Sequence, residues 1–460
     1  MNDLQKNIKS KQTNKVSEDA VGVTLDVLYD LTLSGCSSVM DSLEPILAWT
    51  LSILTTNDLE LNLRDSAALV IAQLCEIRGR TVCKIPNAVS NIMAALYAII
   101  EATPDSAAGA LFENNPMWLE ELGGDPDIGE TSIISCAQGT LDMMAISLPT
   151  KVVWPIVLQQ TTQRISSPNV DSRKSAIACL GVAAEGCKDE ILKGNVLDEV
   201  VQCTLAAAQD PELKVREVAC FTLGQLAEHC QPDVLRYSSV ILPIVFQLLD
   251  DTQVTVQVTS CYVLEQFCER LEPKDIRQFL DVLVKKLASM LESSQRRSIQ
   301  EMSVAALSAV AVASEEEFTP YIAQLQHLLT TLIALPIVGE DNAAVDGSNS
   351  NTVMGQNSLR GRALECMGHI AIAVGKDAFA PYFTPVMTSA AQGLASEDTD
   401  LHEFAYALFA NLAKVMQADF APCLPELVPH LLKVVESQDG ALELKENVSC
   451  VFCCCLFDYF

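Results

Sequence analysis

Apolar residues recur three and four positions apart along most of this chain, the spacing that places them on one face of an α-helix. After the turn Asp210-Pro211-Glu212, one such stripe runs through Val215, Val218, Ala219, Thr222, Leu223 and Leu226. A second stripe runs through Ile241, Leu242, Val245, Leu248 and Leu249 and stops at Asp250-Asp251. Because proline and acidic residues suit the first turn of a helix, the pattern predicts a helix, a short turn, a second helix and an acidic turn.

One phrase, Ala-x-x-x-Leu-Gly-x-x-Ala, recurs at a pitch of about forty residues, inside the range of roughly 20–50 that is typical of stacked repeats. Its clearest copies begin at Ala176 and Ala219, and looser copies begin at Ala67, Ala137, Ser260, Ala363 and Ala405. Each repeat of a stack contacts only its neighbours, so a chain of 460 residues needs no single large core. We therefore predict an all-α solenoid of about nine helix pairs, which begin near residues 18, 60, 131, 169, 212, 254, 296, 358 and 398.

Three of the second helices are predicted to open with a phenylalanine that is followed two positions later by proline. The copies are Phe318-Thr319-Pro320-Tyr321, Phe379-Ala380-Pro381-Tyr382 and Phe420-Ala421-Pro422-Cys423. Proline is tolerated in the first turn of a helix because the N–H that it lacks would have no partner there.

The period predicts a solenoid over residues 18–437, preceded by a disordered segment at 1–17 and followed by an atypical cysteine-rich tail at 438–460. Two inserts interrupt it, an acidic one at 103–130 and a Gly/Asn/Ser-rich one at 337–357. Long loops in a compact array are usually functional or disordered, and the second insert has the composition of a disordered loop. The first holds Trp118 among acidic residues, so it is either a solvated loop or a site for a basic, partly apolar partner.

Composition limits the function classes. The chain holds 30 Lys and Arg against 59 Asp and Glu, a formal net charge of −29, which disfavours direct binding to nucleic acid. The same charge favours basic protein partners, although it also serves solubility. Residues 1–17 lack the apolar core of a secretory signal, and no apolar run reaches the roughly 18 residues of a membrane span. We expect no cofactor and no catalysis, because the five histidines are scattered and no glycine-rich phosphate loop is present.

The 17 cysteines lie mostly inside helical patterns, where a small thiol packs well. Without a signal segment, they indicate a reducing compartment. The one cluster is Cys450, Cys453, Cys454 and Cys455. Because it lacks the second cysteine pair or the histidines that a structural zinc site needs, we predict no metal.

The helix pairs, and the stretch from Asp210 to Ala219 in which Arg216 follows a valine, resemble HEAT repeats. In that family the turn aspartate and this arginine stack from repeat to repeat, and Asp171 and Arg173 form a weaker echo here. Four stretches are similar to the importin-beta (karyopherin-beta) family of nuclear transport receptors, with the importin-four type as the nearest branch. They are residues 215–229, 260–271, 362–371 and 382–387, and the resemblance extends over most of 18–437.

This resemblance implies a right-handed superhelix and a mechanism. Receptors of this family hold basic cargo, such as histones and ribosomal proteins, on an acidic concave face lined by second helices. The GTP form of Ran ejects the cargo in the nucleus, and slots between outer helices bind the Phe-Gly repeats of nucleoporins. The protein would then move between cytoplasm and nucleus through the pore of the nuclear envelope. Family members are longer, so the chain is expected to be a fragment from a truncated or misread gene; the alternative is a genuine hydrophobic tail that carries lipid.

For the protein-binding surface we single out one tryptophan and the acidic residues of the first insert and of the ends of second helices. They are Trp118, Glu120, Glu121, Asp125, Asp127, Asp250, Asp251 and Glu292. The alternative function is a static HEAT-repeat scaffold, such as a regulatory subunit of a phosphatase. Scaffolds of that kind have units of nearly constant length, whereas the phrase recurs here at spacings from 39 to 70 residues, which favours the receptor.

Overall fold

The computed structural model describes residues 15–102, 133–335, 350–394 and 399–436, and within these ranges the chain forms helices and turns only. The longer α-helices are α1 Lys15–Leu33, α2 Leu43–Leu54, α3 Leu61–Val82, α4 Ala88–Ala102, α5 Ile133–Ser147, α6 Thr150–Arg164, α7 Val170–Val182, α8 Val196–Ala207, α9 Leu213–His229, α10 Ser238–Leu248, α11 Val254–Cys268, α12 Pro273–Ser293, α13 Arg297–Ser314, α14 Ile322–Ile333, α15 Ser350–Leu394, α16 Thr399–Met416 and α17 Leu424–Glu436. They make nine pairs in these ranges, because Gly375 divides α15 into two arms that form pair 8. Pairs 1 to 7 run from α1/α2 to α13/α14, and α16/α17 is pair 9.

The first helices of the pairs begin close to the predicted positions, and the predicted all-α repeat fold is confirmed. The largest difference is in α15, which begins at Ser350, inside the stretch 337–357 that composition predicts as a loop. Glycine, asparagine and serine have low helix propensity, but propensity is a weak prior that tertiary context overrides. The helix α1 also begins earlier than expected, at Lys15. The insert at 103–130 and the tail at 438–460 lie outside the described residues.

Backbone contacts divide the chain into two compact units. The described part of the first unit is residues 15–102 and 133–236, and that of the second is residues 237–335, 350–394 and 399–436. The boundary falls inside pair 5, so α9 belongs to the first unit and α10 to the second.

All copies of the recurring phrase lie on first helices, and Gly181 shows why the phrase prefers a small residue. A Cβ atom at Gly181 of α7 would come within 2.6 Å of Thr222 on α9, the next first helix. The short distance allows a hydrogen bond between the two helices, because the hydroxyl of Thr222 lies within donating distance of the carbonyl of Ile177 on α7, at 2.9 Å. The same hydroxyl is also 2.8 Å from the carbonyl of Val218 in its own helix. The glycine therefore lets two consecutive first helices approach until a side chain of one bonds the backbone of the other.

A local clamp fixes the start of the first helix in pairs 4 to 7. A serine or aspartate side chain accepts a hydrogen bond from the backbone N–H two residues later, and the carbonyl of the same residue accepts one from a side chain six residues later. The serine or aspartate and its side-chain donor are Ser167 with Arg173, Asp210 with Arg216, Asp251 with Gln257, and Ser294 with Gln300, at distances from 2.8 to 3.1 Å. The clamp satisfies backbone groups that a helix start leaves without partners.

Ion pairs join pair 4 to pair 5. The Nε and Nη2 of Arg173 donate to the two carboxylate oxygens of Asp210 at 2.8 and 3.0 Å, and the Nζ of Lys214 lies 3.6 Å from Asp171. Burial acts to raise the pKa of Asp210, but the hydrogen bonds from Arg173 and from the backbone of Glu212 outweigh it and hold the pKa below the usual aspartate range. Asp171 and Arg173, which match the HEAT pattern only weakly in the sequence, thus each make an ion pair with the next repeat.

In pairs 7, 8 and 9 a residue with positive φ separates the first helix from the second. These residues are Glu315, Gly375 and Gln417, with φ of 49°, 77° and 50°. In pairs 7 and 9 a 3-10 turn follows, at Glu315–Tyr321 and Gln417–Cys423.

The 3-10 turns contain two of the three proline phrases. Pro320 and Pro422 therefore precede the second α-helix instead of opening it as predicted. The phenylalanines of the three phrases, Phe318, Phe379 and Phe420, are fully buried. The phrase thus anchors the corner between the two helices through its aromatic side chain.

Replacing Glu315 by glycine is expected to raise the free energy of unfolding by about 1 kcal/mol, because a side chain at positive φ with a ψ of −135° is strained and glycine is not. The urea midpoint measures this change. The adjacent exposed Glu316 is the control: glycine there should lower stability, since it only adds freedom to the unfolded chain. Equal effects at the two positions would contradict strain at Glu315.

Candidate protein-binding surfaces

The second unit exposes apolar side chains along α10 and α12, the neighbouring second helices of pairs 5 and 6. The rings of Phe246 and Phe279 lie with centroids 5.9 Å apart, and both side chains remain partly exposed. On the same helices Val240 and Val282 expose 48% and 59% of their surface. Single exposed valines are common, but apolar groups gathered on two adjacent helices are typical of an interaction surface. We call these four residues the α10–α12 patch.

Two ion pairs connect α12 to the helix pairs on either side of it, pairs 5 and 7. Lys286, in its C-terminal half, pairs with Asp250 in the turn after α10. Arg277, near its N-terminus, donates through Nε to both carboxylate oxygens of Glu317 at 2.8 and 2.9 Å. The hydrogen bond from Arg277 lowers the pKa of Glu317. The turn acids beside the patch therefore already have cationic partners from α12.

Three of the predicted site residues lie at the ends of α10 and α12. Asp250 and Asp251 follow α10, and Glu292 is exposed at the end of α12. The side chain of Asp250 is 71% exposed, whereas Asp251 closes one of the helix-start clamps and so has a structural role. The other predicted residues, Trp118, Glu120, Glu121, Asp125 and Asp127, lie outside the described residues.

Sequence reasoning missed the patch itself. The available signal was Val240 and Val282, which interrupt faces that the helical period assigns to solvent. Pairing of the two phenylalanines could not be read from the sequence, because they lie on different helices and meet only after α10 and α12 pack.

The second helices are close to neutral, although the chain is strongly acidic. Together they hold ten acidic and eight basic residues. Negative charge is concentrated in turns instead, as at Asp250-Asp251 and Glu315–Glu317. The predicted acidity of the second-helix face thus depends on the turns at its edges.

A groove of about 800 Å³ lies in the second unit between the second arm of α15 and α17. Its walls are mostly apolar, with Phe383, Met387 and Leu427 among them, and Glu426 supplies the carboxylate. Cys423 also lines it, and burial together with nearby Glu426 raises the pKa of this thiol, so it stays protonated. The groove fits an apolar side chain next to a cationic one.

The end of α4, where the acidic insert begins in the sequence, is fixed by a polar cluster of the first unit. Glu101 accepts from the Nε of Arg164 on α6 at 3.0 Å and also bonds the hydroxyl of Ser172 on α7. The guanidinium of Arg164 lies 5.3 Å from the centre of the Tyr97 ring. Through Glu101, the residue before the last one of α4, the cluster connects α4 to α6 and α7.

Two exposed aliphatic residues mark the first-helix side of the second unit. Val312 on α13 and Ile372 on the first arm of α15 expose 40% and 42% of their surface. These two helices pack against each other, so the residues belong to adjacent repeats.

Other chemistry is sparse in the part of the chain that the structure describes. Its thirteen cysteines are free thiols, and it holds no group of three or more His, Cys, Asp and Glu suited to a metal ion. No helix within it is both long and apolar enough to cross a membrane.

A family model described as importin subunit beta-1-like, TPR repeats, matches residues 174–346. The chain is 28% identical over 70% of its length to the probable importin subunit beta-4 of Schizosaccharomyces pombe, and 25% identical over 90% to human importin-4. The chain is therefore similar to the importin-beta family of transport receptors. It spans 28% and 37% of the length of these two importins.

Solved structures of an importin-beta relative share the fold. Crystal structures of Kap121p bound to Pho4p and to Nup53p match 92% of the chain, with TM-scores of 0.77 and 0.75 and identities of 21% and 22%. The chain covers 38% of each. The likeness confirms an all-α HEAT-type solenoid.

Proposed function

We propose that this chain is part of a nuclear transport receptor, which holds basic, partly apolar segments of its cargo on the α10–α12 patch and in the groove of pairs 8 and 9. The proposal rests most on the patch, where exposed apolar side chains lie between acidic turns. Apolar contact supplies affinity at such a surface, and the acidic turns favour cationic partners and speed their encounter. Histone tails and ribosomal proteins have this chemistry.

The family suggests the other partners. Kap121p has been crystallised with Pho4p and with Nup53p. We propose that Phe-Gly nucleoporins contact the first-helix side near Val312 and Ile372, that the GTP form of Ran competes with cargo, and that the protein moves between cytoplasm and nucleus. Cargo and Ran would then favour different conformations of the same solenoid.

Binding of a fluorescein-labelled histone-tail peptide, followed by anisotropy, tests the cargo surface. Replacing Val282 by serine is expected to weaken binding about threefold, because the patch loses apolar area. The control is Val23 on the first helix α1, which is 63% exposed, so that serine there changes the same chemistry away from the patch.

Equal losses for the two serine variants, or no binding by the unaltered chain, would contradict a cargo surface on α10 and α12. GTP-locked Ran added to the complex should release the peptide. If the peptide stays bound, Ran regulation is wrong for this chain while the cargo surface stands.

A further inference from the structure

Three acidic turn residues of the second unit each hold a cation that comes from a second helix of an adjacent pair. Asp250 holds Lys286 of α12, and Glu317 holds Arg277 of the same helix. Asp419, in the turn of pair 9, lies 2.8 Å from the Nζ of Lys376 at the start of the second arm of α15. Such ion pairs thus occur between pairs 5 and 6, 6 and 7, and 8 and 9.

The ion pair at Asp250 is open to exchange. The Asp250 side chain is 71% exposed, while Lys286 is 24% exposed and covers only one side of the carboxylate. A solvent-exposed ion pair is usually weak and is screened by salt. A lysine of a bound segment could therefore replace Lys286 at Asp250 with little change in the number of ion pairs.

We propose that Lys286 is a specificity-determining residue, which occupies Asp250 in the free protein and competes with the cations of the bound segment. This inference rests on the proposed function of the α10–α12 patch. Exchanging one cation for another gains little, so a segment that carries only charge binds weakly. A segment that also fills the patch with apolar side chains gains the additional contact, and the internal cation thereby selects against merely basic proteins.

Replacing Lys286 by methionine tests the competition, since methionine keeps the length of the side chain and removes its charge. We expect the variant to bind the fluorescein-labelled histone-tail peptide about threefold more tightly in roughly 50 mM salt, with the gain lost near 500 mM. Lys414, exposed on the first helix α16, provides the control, because Lys414→Met changes the net charge equally on the other helix of a pair.

The double variant Lys286→Met with Asp250→Asn separates competition from other effects. In the Asp250→Asn background, Lys286→Met should leave the affinity unchanged, because the carboxylate for which the cations compete is absent. A gain that persists in this background, or that Lys414→Met reproduces, would overturn the inference.

The unaltered chain distinguishes the two levels of failure. If it binds the peptide and Lys286→Met does not tighten binding, internal competition is wrong and the cargo surface remains. If it does not bind the peptide, the proposed function fails and the inference fails with it.

Discussion

Replacing Gly186 by alanine is expected to lower the free energy of unfolding by about 3 kcal/mol, because the added methyl group has no space. Gly186 lies on the short helix Ala184–Ile191 that continues α7, and a Cβ there would fall on the backbone of Ala145 and Ile146 at the end of α5, closer than real Cβ contacts allow. Backbone cannot move aside as a flexible side chain does, so the variant must separate pair 3 from pair 4. Chemical denaturation in urea measures the loss.

Gly139 provides the matched control. It lies in α5, is exposed, and a Cβ there would meet nothing within 4 Å. Alanine is a better helix former than glycine by about 1 kcal/mol, so Gly139→Ala should stabilise the protein by up to this amount. Opposite signs for the two substitutions are the expected result, and a Gly186→Ala variant as stable as the unaltered chain would mean that pairs 3 and 4 pack differently.

Replacing Asp142 by asparagine is expected to stabilise the protein at neutral pH. Asp142 occupies the glycine position of the recurring phrase on α5. Burial, and then the nearby carboxylate of Glu185, raises its pKa to about 6. The full shift from an ordinary aspartate corresponds to roughly 3 kcal/mol, and partial exposure to solvent reduces this to about 1–2 kcal/mol.

The direction of the pH dependence follows from the raised pKa. Between about pH 4 and pH 6 the folded chain keeps a proton on Asp142 that the unfolded chain has lost. Stability therefore falls as the pH rises through this window and stays lower above it. The asparagine side chain of the variant has no charge to bury, so the advantage of Asp142→Asn should be absent near pH 4, develop by pH 6 and persist at pH 7.5.

Urea midpoints at a series of pH values would measure this advantage. Asp26, exposed on the first helix α1, is the control for the same substitution at a position in solvent, and Asp26→Asn should not stabilise the protein as Asp142→Asn does. A constant advantage of Asp142→Asn across the series would show that the carboxylate does not titrate in a buried position.

The repeat period allowed most of the fold to be predicted from sequence. A phrase that recurs on one helix of every pair defines that helix, and two apolar stripes between consecutive phrases define the pair. The places where helices begin were less predictable where composition and packing disagree, as at Ser350. The 3-10 turns that contain Pro320 and Pro422 were missed because proline suits both a turn and the first turn of an α-helix.

The candidate site was less predictable, since its properties arise between helices. The sequence around Asp250 gives no sign of a cationic partner for this carboxylate. Its partner Lys286 is distant along the chain and reaches it only when α12 packs beside α10. Asp142 takes the place of the glycine in a loose copy of the phrase, and only its burial, together with the nearby carboxylate of Glu185, makes its charge unfavourable. Sequence indicated where acids are, and packing decides which of them remain available to a partner.

The helix-start clamps also bear on how such an array changes in evolution. The residues at which the clamps begin, Ser167, Asp210, Asp251 and Ser294, are 43, 41 and 43 residues apart. In each clamp the hydrogen bonds reach no further than six residues along the chain. A coding segment duplicated or deleted between two of these points therefore keeps complete clamps on both sides of the new joint. Recombination at these positions disturbs only the fit of side chains at one junction, which gives the gene a route to lengthen or shorten the array one pair at a time.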